Sequence, residues 1–207
     1  MSKDISISYA VTVYNELEYI KTLLPFLTRN KREQDEVVVR WDDSGPVEVW
    51  NYLLSLGEKI VLVRGPFRRD FAAWKNNLNA QCTKDYIYQI DADEMIDEYV
   101  MRLLPQVLAS NEVELLAVPR INTVEGLTQE HIEKWRWNIN EKGWVNFPDY
   151  QTRVYKNDPR IRWHGKVHEQ IIGHNTYAAL PTTEEWCLIH KKEISRQEKQ
   201  NALYENI

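Results

Sequence analysis

Residues 85–97 read DYIYQIDADEMID. Tyr86 to Ile90 has the aromatic and aliphatic make-up of a strand, which makes Asp85–Ile90 an expected strand. Asp91, Asp93 and Glu94 follow it at once, with Asp97 close behind. Carboxylates so crowded repel one another unless a positive group sits among them. Residues two apart in an extended segment point to one side, so Asp91 and Asp93 converge. Hard oxygen ligands of this kind suit Mg²⁺ or Mn²⁺, which take their remaining ligands from water and phosphate groups. One reading of the stretch is therefore the seat of a metal–diphosphate. In the other, Asp93 and Glu94 favour the positive N-terminal end of a helix starting at Met95.

Working outward, strand-like and helix-like segments alternate. Strands are expected at Ile5–Val13, Glu36–Trp41, Lys59–Arg64 and Glu114–Pro119. Helices are expected at Glu16–Thr28, Val47–Leu56, Asp70–Gln81 and Met95–Ala109. The first helix shows Leu17, Ile20, Leu23, Leu24 and Leu27 on one face, and Asp70 caps the third. Such alternation predicts an α/β fold with a mostly parallel central sheet flanked by helices. Ligands of open α/β sheets bind beyond the carboxyl ends of the strands. The loops at Thr12–Glu16 and Asp42–Ser44 should gather there beside Asp91. Tyr14 would supply a flat wall for a nucleobase, and Asp42 or Asp43 would accept the imide N–H of uracil. Asp42–Gly45 also reads as an ordinary turn.

After Arg120 the pattern loosens around Trp135, Trp137 and Trp144. A strand is expected at Tyr150–Tyr155, a turn and a short element at 164–174, another strand at Trp186–His190 and a polar helix at Ile194–Asn206. With no repeat or linker in 207 residues, the chain reads as a single domain. Residues 1–120 form a nucleotide-binding half, and residues 121–207 shape a second site. A net charge of −5 argues against a non-specific nucleic-acid binder. The two cysteines make no CxxC, so neither a disulfide framework nor a zinc knuckle is indicated. The expected setting is reduced and cytoplasmic, with the inner face of a membrane as an alternative. No apolar run reaches the roughly 20 residues of a membrane span.

Taken in order, these pieces resemble a family 2 glycosyltransferase of the GT-A fold. The carrying stretches are AVTVYNE, VVVRWDDSG and DFAAWKNNLNAQCTKDYIYQIDADE, the last holding the DxD. FPDYQTRVYKND, WHGKVHEQI and CLIHKKEISRQEKQNALYENI are similar to the branch that includes lipopolysaccharide-core glucosyltransferases. The resemblance spans nearly the whole chain. It implies that Thr12, Tyr14 and Glu16 line the base and ribose, and that Asp43, with Asp42 beside it, binds the base edge. Lys75, where the family often has Arg, would approach the diphosphate or base, with Asn76 supporting it. Asp91 would bind ribose or metal-bound water, Asp93 would ligate Mn²⁺ or Mg²⁺, and His190 is a further candidate ligand. Gly45-Pro46 departs from the family's second loop, which puts the base contacts there in doubt.

Inverting transfer needs a base for the acceptor hydroxyl and charge compensation for the departing diphosphate. Glu169 is the first choice for the base, by resemblance and by its place after a glycine turn. Asp149 is the second, and His168 would orient Glu169 or touch phosphate. Arg153 and Lys166 would help neutralise the diphosphate, or be solvated charges near a strand. Trp135, Trp137, Trp144 and Trp163 would offer ring faces to a pyranose, though part of this set belongs to the core. A zinc site at His164–His168 is disfavoured, because Gly165 weakens the helix it would need.

The expected activity is a metal-dependent inverting transfer from a UDP-sugar to a carbohydrate or glycolipid acceptor, as in polysaccharide biosynthesis. The alternative is an inactive nucleotide-sugar-binding module, or one domain of a larger enzyme. A nucleotidyltransferase is disfavoured because YNELEY lacks Gly and Lys. A dinucleotide-binding dehydrogenase is disfavoured because no GxGxxG follows the first strand.

Overall fold

The structure is a computed structural model that describes residues 4–195 and 198. Three β/α units and a fourth strand come first: β1 (Ile7–Val13), α1 (Leu17–Asn30), β2 (Glu36–Asp42), α2 (Val47–Ser55), β3 (Val61–Gly65), α3 (Phe71–Asn79) and β4 (Tyr86–Asp91). Then follow β5 (Glu94–Met95), α4 (Glu98–Asn111), β6 (Leu115–Glu125), α5 (Gln129–Trp135) and β7 (Val145–Lys156). β8 (Arg162–His164), β9 (Gln170–Ile172), β10 (Tyr177–Ala179) and β11 (Leu188–Glu193) complete the described strands.

The main sheet runs β3-β2-β1-β4-β7-β6-β11-β5, with β10 beside β6. β1, β2, β3 and β4 are parallel, as the β/α alternation predicts. β7 enters antiparallel between β4 and β6. β11 runs parallel to β6, and its other edge carries the two-residue β5 antiparallel. β8 and β9 form a separate hairpin.

Strand alternation divides the core. Tyr9, Val11, Val37, Val39, Tyr88 and Ile90 face α1, α2 and α4. Ala10, Val38 and Ile87 face α3 and the β8–β9 hairpin. On α1, Ile20, Leu23, Leu24 and Leu27 are buried at i, i+3, i+4 and i+7, as expected. Asp70 caps α3, accepting from Ala73 N at 2.8 Å.

Several boundaries differ from those expected. α4 begins at Glu98, and Asp97 is its cap, accepting from Tyr99 N at 2.7 Å. The expected start at Met95 gives way because Glu94 and Met95 pair with His190 and Ile189. Asp93 and Glu94 therefore do not cap a helix. β6 runs on to Glu125 and β7 starts at Val145, both longer than expected, because β7 pairs with β6 as far as Asn122 and β11 pairs with β6 on to Glu125. The expected terminal helix at Ile194–Asn206 lies largely outside the described residues.

Candidate active site

The ends of β1, β2 and β4 lie side by side, with Thr12 paired to Arg40 and to Asp91. On the first loop the Tyr14 ring is exposed. Glu16 folds back onto that loop, its Oε2 accepting from Tyr14 N at 2.8 Å and Asn15 N at 3.0 Å. Trp41 Nε1 donates to Tyr14 O at 3.2 Å, which ties the first loop to β2. On the second loop Asp42 is buried, and its Oδ1 accepts from Ser44 N and Phe67 N. Asp42 thus shapes the turn, while Asp43 is the more open carboxylate, with Arg64 Nε at 3.8 Å.

The crowding at 91–97 is relieved by two arginines. Arg153 Nη2 donates to Asp91 Oδ2 and, at 2.9 Å, to Glu94 Oε1. Arg120 Nη1 donates to the same Glu94 oxygen at 2.9 Å. Glu94 Oε2 accepts from Asp91 N at 3.0 Å. Burial would raise the Asp91 carboxyl, but the charges of Arg153 and Lys75 override it and hold it well below the ordinary 3.8. Arg153 is committed to the protein's own carboxylates, so the expected contact with a diphosphate gives way to a structural ion pair. Arg120 and Asn122 were missed by the sequence reading. Arg120 lies one residue past the expected strand Glu114–Pro119, so the strand-end rule carried one step further would have reached it.

Asp93 sits in the turn between β4 and β5. β11 crosses beside that turn, bringing His190 Nε2 to 3.5 Å from Asp93 Oδ2. This Nε2 is buried and has no hydrogen-bond partner among the described residues. On the ring's other side Nδ1 lies 3.0 Å from Asn122 Oδ1. Among the described residues no group of three or more His, Cys, Asp or Glu side chains gathers as a metal cage. An imidazole nitrogen without a hydrogen bond, facing a carboxylate, nevertheless fits a divalent ion, since Mg²⁺ and Mn²⁺ commonly take only one or two protein ligands beside substrate phosphates. Asp91 is the more exposed of the two aspartates, at 34% against 19%, but one of its oxygens is engaged by Arg153.

Asp149 lies beyond Arg120. Its Oδ2 accepts from Arg120 Nε at 2.9 Å, Arg120 Nη2 at 2.7 Å and Asn122 Nδ2 at 2.8 Å, and its Oδ1 from Gln151 Nε2 at 2.7 Å. Burial would raise this carboxyl, but Arg120 and these bonds hold it below the ordinary range. Arg120, Asn122, Trp137, Asp149 and Lys192 line a cleft of about 220 Å³. Burial and the neighbouring Arg120 lower the Lys192 ammonium.

Glu169 follows a tight turn in which Gly165 and His168 take φ of +100° and +54°. Lys75 Nζ donates to Glu169 Oε1 at 2.6 Å and lies 4.2 Å from the Trp163 ring centroid. Asn76 pairs with the Trp163 backbone through both its Nδ2 and its Oδ1, at 2.9 Å each. Of the four tryptophans expected near the acceptor, Trp163 is core, donating from Nε1 to Tyr155 Oη. Trp137 lines the cleft, Trp135 stacks on His131 and meets Trp137 at a tilt, and Trp144 meets Phe147.

The family model described as "Glycosyl transferase family 2" matches residues 8–177. The chain belongs to glycosyl transferase family 2. Its fold is that of solved structures of S. aureus TarS. The 1–349 fragment in complex with UDP-GlcNAc gives a TM-score of 0.63 at 15% identity, covering 91% of this chain and 59% of that one. The same fragment with UDP gives 0.63 at 14%, covering 90% and 60%. This family 2 chain thus spans about three fifths of the fragment's length. A search of curated proteins found no match. Among the described residues no helix is long and apolar enough to cross a membrane.

Proposed function

We propose that this family 2 chain is a metal-dependent inverting glycosyltransferase. It would move a sugar from a UDP-sugar to a carbohydrate or glycolipid acceptor. The observation that carries the reading is the Asp93 carboxylate at the end of β4, 3.5 Å from a His190 Nε2 that has no hydrogen-bond partner among the described residues. Beside them stand the exposed Tyr14 ring and Asp43 at the ends of β1 and β2. UDP, rather than another nucleotide, rests on the motif resemblance and on the ligands of the TarS structures.

Asp93 and His190 would hold Mn²⁺ or Mg²⁺, and the ion, when bound, offsets charge on the departing diphosphate. Tyr14 stacks on the base and Asp43 accepts its imide N–H, with Thr12 alongside. Lys75 places positive charge near Asp91 and the donor. Glu169 takes the proton of the acceptor hydroxyl as that oxygen bonds the anomeric carbon and the bond to diphosphate breaks. Asp149, already accepting four bonds, is the weaker candidate base. In this scheme residues 1–120 are the donor half and 121–207 the acceptor half. The motif order favours a hexosyl donor and the lipopolysaccharide-core branch, and the proposed setting is the cytoplasm, with the inner face of a membrane as the alternative.

The pairing of Lys75 with Glu169 favours one competing reading, an inactive nucleotide-sugar-binding module whose carboxylate is locked. Two measurements separate them. Thermal unfolding with UDP, GDP, dTDP and CDP, each with and without Mn²⁺, should show a metal-dependent rise with UDP that Asp93→Ala abolishes. Hydrolysis or transfer from UDP-sugars then distinguishes enzyme from module. No rise with any nucleotide overturns both.

A further inference from the structure

We infer that Asn122 and Asp149 are positioning residues that select the tautomer of His190, so that its Nε2 lone pair faces Asp93. The inference rests on the metal-site reading above and gives its two partners a role that no motif assigned them.

The chain of bonds leaves little freedom. Asp149 Oδ2 already takes two bonds from Arg120, so this carboxylate acts as an acceptor. Asn122 must then present its Nδ2 to Asp149, because an amide oxygen placed there would meet another acceptor. That turns Asn122 Oδ1 toward His190, 3.0 Å from Nδ1. An amide oxygen only accepts, so Nδ1 must carry the proton. In the neutral ring Nε2 is then the nitrogen without one. It is buried, lacks a described hydrogen-bond partner and faces Asp93 Oδ2 at 3.5 Å. In that neutral form two lone pairs face each other across 3.5 Å, an arrangement that a cation between them would satisfy. An imidazole ligand whose other nitrogen donates to a fixed oxygen is the usual way a protein orients it.

The fold supplies this arrangement from separate places. Arg120 and Asn122 are two apart on β6, beside a register shift that bends the strand where it meets β7. Asp149 comes from β7 and His190 from β11, which pairs with Asn122 in register. The role also separates the two candidate bases: Asp149 orients a ligand, which leaves Glu169 for the proton.

The test uses metal-free ¹⁵N-labelled protein, with the His190 resonances assigned by comparison with His190→Gln. Long-range ¹H–¹⁵N spectra should show wild-type His190 protonated on Nδ1. In Asn122→Leu the ring should move toward the Nε2-protonated form, and Mn²⁺ affinity in the presence of UDP, read by electron paramagnetic resonance, should fall about tenfold to a hundredfold. A wild-type ring protonated on Nε2 overturns the inference, and this reading holds even if Asn122→Leu fails to fold. A folded Asn122→Leu with unchanged tautomer or unchanged Mn²⁺ affinity also overturns it. A wild-type protein that binds neither Mn²⁺ nor UDP instead defeats the glycosyltransferase reading, and tautomer selection is then judged by the spectra alone.

Discussion

Lys75 and Glu169, 94 positions apart in sequence, meet at 2.6 Å, with the Trp163 ring beside the ammonium. Both side chains are mostly buried, at 9% and 14% exposed. Lys75 is also among the charges that hold Asp91 ionised. One lysine thus links the candidate base to the DxD segment. Breaking such a pair leaves the other charge uncompensated. Lys75→Met should cost about 1–3 kcal/mol, and the double variant Lys75→Met/Glu169→Gln should recover part of it. Urea unfolding of the four proteins closes the cycle; strict additivity would show that the pair contributes nothing.

Glu169→Gln keeps the shape of the side chain and still accepts from Lys75, but cannot take a proton. With whichever UDP-sugar the wild type turns over, kcat should drop about 10²- to 10⁴-fold. The UDP-dependent rise in unfolding temperature should persist. Full turnover by this variant would assign the base elsewhere.

Arg153 is 4% exposed and faces Glu94, which is fully buried, and Asp91. Arg153→Met keeps the bulk of the side chain and removes the charge. It should destabilise the fold by about 3–5 kcal/mol, seen as a lower urea midpoint at neutral pH. A loss below about 1 kcal/mol would mean that Arg120 alone suffices for Glu94.

Asp91 and Asp149 both lie below the ordinary 3.8 in the folded chain. A carboxyl so depressed binds protons more weakly when folded than when unfolded. Its contribution is complete above the unfolded value and is lost as pH falls from about 4 toward the folded value. Solvent reaches about a third of the Asp91 side chain, which screens part of the gain. Stability by urea unfolding should therefore be flat from pH 7 to 5 and fall below about pH 4. The fall should be shallower in Arg153→Met. A wild type as stable at pH 3 as at pH 7 would contradict the assignment.

Gly45 lies where the first two loops touch. A Cβ there would stand 2.4 Å from Tyr14 O and 2.9 Å from Trp41 Nε1. Gly45→Ala should force the loops apart at a cost of about 1–3 kcal/mol, and weaken UDP more than it weakens Mn²⁺ alone. Calorimetric titration reads both. Equal weakening would point to general unfolding of the site.

Legibility varied along the chain. The helix face of α1 and the Asp70 cap were readable because periodicity and capping are local. α5 went unread because its capping box closes with His131 three residues after Thr128, where Glu or Gln is the usual signal. The start of α4 was misplaced because the pairing that holds Glu94 and Met95 extended comes from β11, almost a hundred residues away.

By itself the sequence determined the β/α alternation and the strand ends bearing Tyr14, Asp43, Asp91 and Asp93. Those features depend on neighbours within a few positions. Only the tertiary structure decided which cations answer the carboxylates, since Arg153 and Arg120 reach them through the antiparallel entry of β7 between β4 and β6. It likewise decided that Asn122 stands between Asp149 and His190. Hydrogen-bond partners set by strand register across distant segments leave no period or spacing in the chain, because the pairing is chosen by the energy of the assembled sheet.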